Sequence, residues 1–219
     1  MEGLDEVGGA LLFILAGGWV AWLLIGTLVN RRRAAALSRW VYQEARPYGS
    51  KLYVRWITMA AFELTVPQAR APFRDLAFTA LVESREMPFI WLFNRLRGRG
   101  DLLVLRAETR RRPVWGLEVF HPRGVLAGDA RRAAEDAGWT PAAGADDLLR
   151  ANGGGAAAEL SDRLLAALGP YAPRLERLAV RREAPQLLVA LTLRGLTPAT
   201  APPLGRCLAE VATALGSEG

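Results

Sequence analysis

The side chains able to do chemistry are few. His121 is the single histidine and Cys207 the single cysteine of 219 residues. One imidazole cannot build a histidine-based metal site, and one thiol cannot close an internal disulfide. His121 precedes Pro122 at the end of an apolar run, with no Ser, Cys or carboxylate motif around it to make it a general base, and reads as a surface or capping residue. Cys207 lies among Leu204, Leu208 and Val211 at helical spacing, the place of a core thiol. Glu83 with Glu86, or Asp146 with Asp147, would have to find a metal or oxyanion partner to act as paired carboxylates, and no motif supplies one. Asn152-Gly153-Gly154-Gly155 lacks the Lys-Ser/Thr of a phosphate loop and reads as a linker. No catalytic, metal or cofactor-binding residue and no small-molecule substrate are expected; the chain does not read as an enzyme.

Arginine is the other chemical resource. The formal net charge is +6 and Lys51 is the single lysine, so almost all the positive charge is guanidinium. Two segments concentrate it. Residues 31–55 hold seven basic side chains against Glu44, including Arg31, Arg32, Arg33 and Arg39. Residues 95–112 hold seven more (Arg95, Arg97, Arg99, Arg106, Arg110, Arg111 and Arg112) against Asp101 and Glu108. The first set falls where it would meet lipid headgroups, each Arg gaining ~1 kcal/mol from an anionic leaflet. The second is far from any span in sequence and would suit phosphate oxygens, as on ribosomal RNA, or an acidic partner, although a solvated charge run has the same composition.

The element that positions the first set is an apolar run. From Val7 to Val29 no residue is charged, and Leu11, Phe13, Ile14, Trp19, Trp22, Leu24, Ile25 and Val29 give it its character. A helix of this length covers ~35 Å, enough for a hydrocarbon layer of ~30 Å. Its acidic start (Glu2, Asp5, Glu6) and its exit through Arg31-Arg32-Arg33 differ from a cleavable signal peptide. Arginine beside a span is retained on the cytoplasmic side, so the N-terminus is expected outside and residues 31 onward inside, at a prokaryotic plasma membrane or the endoplasmic reticulum. Three regions follow: 1–30 with the transmembrane helix, 31–49 as a basic juxtamembrane helix, and 50–216 as a cytoplasmic domain.

In that domain, β-branched and aromatic residues predict strands at Leu52 to Met59, Phe62 to Val66 and Leu76 to Glu83. Phe89, Leu92, Phe93 and Leu96 form the stripe of a short amphipathic helix over Pro88 to Arg97. Strands at Leu102 to Glu108 and Val114 to Phe120 read as a hairpin joined by Thr109-Arg110-Arg111-Arg112-Pro113, followed by a helix from Asp129 to Gly138. Residues 142–158 show no hydrophobic period and read as a Gly-rich flexible connection with a helical turn near Asp146 to Ala151. A helix (Glu159 to Leu168), two strands (Leu175 to Arg182, Gln186 to Arg194) and a last helix (Ala199 to Leu215) repeat the order. Two αββα units imply an α+β architecture with a mainly antiparallel sheet and helices on one face.

Several of these segments resemble the calumin-like family, whose members are single-pass coiled-coil subunits of the PAT complex in the multipass translocon. The span with its basic exit and the helix bearing Leu37, Arg39, Trp40 and Arg46 resemble the start of that family's membrane-proximal region. Glu83-Ser84-Arg85-Glu86-Met87-Pro88, the Leu-rich helix and Gly100-Asp101 before Leu102 follow in the same order. Tyr171-Ala172-Pro173-Arg174-Leu175-Glu176 is similar to a Tyr-Ala-x-x-Ile-Glu run. The resemblance covers most of the chain and implies a non-catalytic scaffold or chaperone that assists membrane-protein insertion beside a channel. It implies as partners membrane lipids, channel or insertase subunits, a small membrane-protein partner and the ribosome. Two departures are expected to matter: the acidic outer segment is short, and no charged coiled-coil tail follows the last helix. Ribosome contact would then fall to the arginines of residues 95–112. An oligomeric membrane or envelope scaffold is the alternative, and a membrane-tethered enzyme the second one.

Overall fold

The computed structural model describes residues 2–144, 147–153 and 155–216. Its first helix, α1 (Glu2–Ala45), runs without interruption through both the apolar run and the basic juxtamembrane segment. Nothing between Asn30 and Ala34 breaks a helix, so the expected boundary at residue 30 is chemical rather than structural. Beyond it Ala34, Leu37, Trp40, Val41 and Ala45 form a buried stripe at spacings of three and four, the face that a helix lays on a core. A 3₁₀ turn with Pro47 at its start then ends the helical run.

Nine strands follow among the described residues: β1 (Tyr53–Thr58), β2 (Ala61–Val66), β3 (Phe73–Leu81), β4 (Leu102–Thr109), β5 (Leu117–Phe120), β6 (Ala142–Ala143), β7 (Leu149–Asn152), β8 (Leu175–Val180) and β9 (Leu187–Thr192). They form one sheet in the order β1-β2-β3-β4-β9-β8-β5-β7-β6, antiparallel at every pairing. The helices are α2 (Pro88–Leu96), α3 (Ala127–Asp136), α4 (Ala156–Leu168) and α5 (Leu204–Gly216). The chain is therefore α+β, with a helix-strand-strand-helix order at α2 to α3 and again at α4 to α5, interrupted by β6 and β7.

Three expectations are corrected. β4 and β5 are not a hairpin: β8 and β9 lie between them, with Ala107, Leu187, Val180 and Leu117 in one row across the four strands. The Arg-rich connection after Thr109 therefore crosses the tip of the β8-β9 hairpin, where Gln186 Oε1 accepts the Thr109 amide and Arg182 Nε donates to the Val114 carbonyl. Residues 142–158 are not wholly connection. β7 pairs with β5 from Leu149 to Asn152 and β6 adds two residues, where a helical turn was expected; Asp146 and Gly154 lie outside the described residues. Nor are the helices confined to one face. Val119 joins the main core, whereas Phe120, next along β5, packs on the opposite side against Ala127 and Ala130 of α3.

The main core lies between the sheet and α1, α4 and α5, and includes Phe62, Phe73, Phe78, Leu103, Leu164 and Val211. α5 is tied to the end of α1: Glu44 Oε2 accepts the Gly205 amide at 2.7 Å, satisfying one of the open N–H groups of the first turn, and Tyr48 Oη donates to the Gly205 carbonyl at 2.7 Å.

Candidate functional site

α1 is the one helix among the described residues that is long and apolar enough to cross a membrane. Only 6% of its most apolar 18-residue window is buried, unlike a core helix. Leu11, Phe13, Ile14, Trp19, Trp22, Leu24, Ile25 and Val29 are all exposed, as lipid-facing side chains would be. The same helix buries one face from Ala34 onward, so one continuous helix passes from an exposed apolar surface to the domain core. Arg31, Arg32 and Arg39 are exposed around this transition. Arg33 is not: it is drawn into the domain.

The join is a polar lock. Asn30 is fully buried; its Oδ1 accepts from Arg85 at 3.1 Å and its Nδ2 donates to Glu86 Oε1 at 3.3 Å. Asp101, 4% exposed, accepts from Arg33 Nε at 2.8 Å, from an Arg85 terminal nitrogen at 3.2 Å and from the Glu83 amide at 3.0 Å. Arg33 also donates to the Leu196 carbonyl. Two guanidinium groups thus face one buried carboxylate and offset the hydration it has lost. Glu83 beside them has its carboxyl pushed above the usual range by burial first, with Asp101 adding to the rise and Arg85 opposing it. One of its oxygens is buried without a hydrogen-bond partner.

Next to the lock, the connection at Arg85 and the start of α2 touch the apolar run of α1. Trp22 Nε1 donates to the Arg85 carbonyl at 2.9 Å, and a Cβ on Gly26 would meet that same oxygen at 2.6 Å, so glycine is what lets the strand-to-helix connection touch α1. Trp19 and Phe89 rings lie 6.0 Å apart and those of Trp22 and Trp91 5.9 Å, pairing α2 with the span.

The arginines of residues 95–112 fall into two separate groups. Arg95, Arg97 and Arg99 lie at the end of β4 next to α2, Arg95 over the Trp91 ring at 5.6 Å and Arg97 over the Phe93 ring at 4.0 Å. Arg110, Arg111 and Arg112 lie at the other end, ~25 Å away along the strand. All six are exposed, but Arg110 also donates to the Ala69 and Phe73 carbonyls and so has a structural job. The distal three rim a cleft of about 740 Å³ between α5 and the 109–114 connection, walled by Pro72, Ala209, Ala212 and Leu215.

The remaining chemical candidates are used locally. His121 Nδ1 accepts the Arg123 amide at 3.2 Å in a turn. Cys207 is buried, and burial pushes its thiol up; the same core pushes Tyr48 up to about 12. Among the described residues no cluster of three or more His, Cys, Asp or Glu could hold a metal ion. Glu118 has no motif around it in the sequence. It is 1% exposed and takes a two-pronged contact from Arg177 at 2.9 and 2.8 Å, plus Arg181 at 2.8 Å. A lone Glu in an apolar strand, with an Arg at alternating spacing in a later one, is the signal that could have found it. The sequence matches no protein-family model and no curated protein.

Proposed function

We propose that the chain is a non-enzymatic, single-pass membrane scaffold whose cytoplasmic domain assists the insertion or folding of membrane proteins beside a translocation channel. The observation that carries this reading is the fusion of an exposed apolar helix to a folded domain through Asn30, Arg33, Arg85 and Asp101; with that helix in a bilayer, the same contacts would set the height and angle of the domain. A fixed seating of this kind suits a platform that works beside a channel. The exposed Arg31, Arg32 and Arg39 favour the orientation with the domain inside. Arg110, Arg111 and Arg112, far from the membrane, are the groups that would meet ribosomal phosphate. The calumin-like segments supply the channel-side part of the reading.

The test is native pulldown from gently solubilised membranes. Channel or insertase subunits are expected at low and moderate salt, with ribosomes released as salt rises. Recovery of neither, at either salt, would defeat the proposal.

A second reading, an oligomeric membrane scaffold, is favoured by β1. Every residue of this edge strand is exposed, Tyr53, Trp56 and Ile57 included, and an open apolar edge invites another strand. Crosslinking in membranes that captured self-contact alone would choose it.

A further inference from the structure

We propose that α2 is a second membrane element, seated in the cytoplasmic leaflet beside the span. No residue of this nine-residue helix is buried by protein. Phe89 is 74% exposed, Leu96 79%, and Ile90, Leu92 and Phe93 each about half. A helix of a water-soluble domain turns such side chains onto the core. This one turns away from the core and packs through Phe89 and Trp91 on Trp19 and Trp22 of α1, so its apolar surface is continuous with that of the span.

Depth follows from helix geometry. A hydrocarbon layer of ~30 Å takes ~20 residues, so a span starting at Val7 exits near Gly26. Trp22 and Trp19 then lie ~6 and ~10 Å inside, and α2 at their level sits as deep as interfacial amphipathic helices do. The charge distribution agrees. The first half of α2 is uncharged, whereas Arg95, Arg97 and Arg99 follow at its exposed C-terminal end, where they would meet anionic headgroups. Arg95 and Arg97 also lie over aromatic rings, an arrangement suited to the polar–apolar boundary. The occupant is therefore lipid: acyl chains against Leu92 and Phe93, headgroup phosphate against the arginines.

This inference rests on the reading of α1 as a span and needs no protein partner. It is tested with the full-length chain carrying Cys207→Ser and one added cysteine, at Leu92→Cys or at Leu96→Cys, labelled with an environment-sensitive fluorophore. Both side chains are exposed and outside the core. Labels at Leu15→Cys and Val125→Cys mark the span and the exposed domain surface. In vesicles of phosphatidylcholine and phosphatidylglycerol, the labels on α2 are expected to be quenched by nitroxide lipids at least about threefold more than the label at position 125, and to be shielded from iodide. Iodide quenching equal to that at position 125, with position 15 still quenched by lipid, overturns the seating of α2 alone. Shielding from iodide without lipid quenching also overturns it, because protein would then cover the helix. Loss of lipid quenching at position 15 as well would overturn the span together with it.

Discussion

Arg33 Nε donates to Asp101 Oδ2 across 2.8 Å, joining the helix just beyond its apolar run to the residue that precedes β4. Because Asp101 is 4% exposed and also takes Arg85 and the Glu83 amide, it cannot be removed quietly. Asp101→Ala leaves two guanidinium groups facing each other without their carboxylate and is expected to cost about 3–5 kcal/mol of domain stability, seen in thermal or urea unfolding in detergent. Extraction of the chain from membranes should be unchanged, since α1 keeps its apolar surface.

Glu118 offers a second buried charge, this time inside the sheet, with Arg177, 6% exposed, reaching it from the diagonal position on β8. Glu118→Gln is expected to cost about 3–5 kcal/mol, whereas Glu118→Met combined with Arg177→Met should recover most of that loss, because an apolar pair needs no desolvated partner. A double-mutant cycle on unfolding midpoints measures the difference.

How far these features were legible depends on whether their cause is local. The strands and helices with their own period were readable, and so was the apolar run of α1. The pairing of β4 with β9 rather than β5 was not. Thr109-Arg110-Arg111-Arg112-Pro113 has the composition of a turn, and nothing in it tells that the β8-β9 hairpin, some seventy residues later, slots between the strands. β7 likewise owes its existence to its pairing with β5, since Leu149 to Asn152 carries no period of its own. Residues 95–112 form one arginine-rich run in the sequence, but β4 separates its two ends, and composition carries no sign of that distance. Asp101, a lone acid after a glycine, has no local signature at all; its role comes from three donors, one of them 68 residues away.

Gly26 is expected to be hard to replace for a reason visible at one atom. A Cβ there would lie 2.6 Å from the Arg85 carbonyl oxygen, which is the acceptor for Trp22 Nε1. Gly26→Val should push residues 83–87 off the span at a cost of about 1–3 kcal/mol. Trypsin should then cut at Arg85 faster than in the unaltered chain, while alkaline extraction of the membrane still leaves the protein in the pellet.

The sign of a pH effect is set by Glu83. Its carboxyl is held above the ordinary range, chiefly by burial, so the folded state binds this proton more tightly than the unfolded chain does. That contribution is fully present below the unfolded value, about 4.3, and is lost as pH rises through the folded one. Glu83→Gln is therefore expected to raise the unfolding temperature at about pH 7 and to lose that advantage near pH 4, which melting curves at the two pH values would show.

The claim on which the rest depends is that α1 crosses the bilayer and holds the domain at its cytoplasmic face. Its most direct measurement combines alkaline extraction of membranes with protease access to a C-terminal tag in sealed cells and in inverted vesicles. The protein is expected to stay with the membrane, with the tag cut only in the inverted vesicles. Release into the aqueous fraction, or cutting of the tag from outside intact cells, would contradict it.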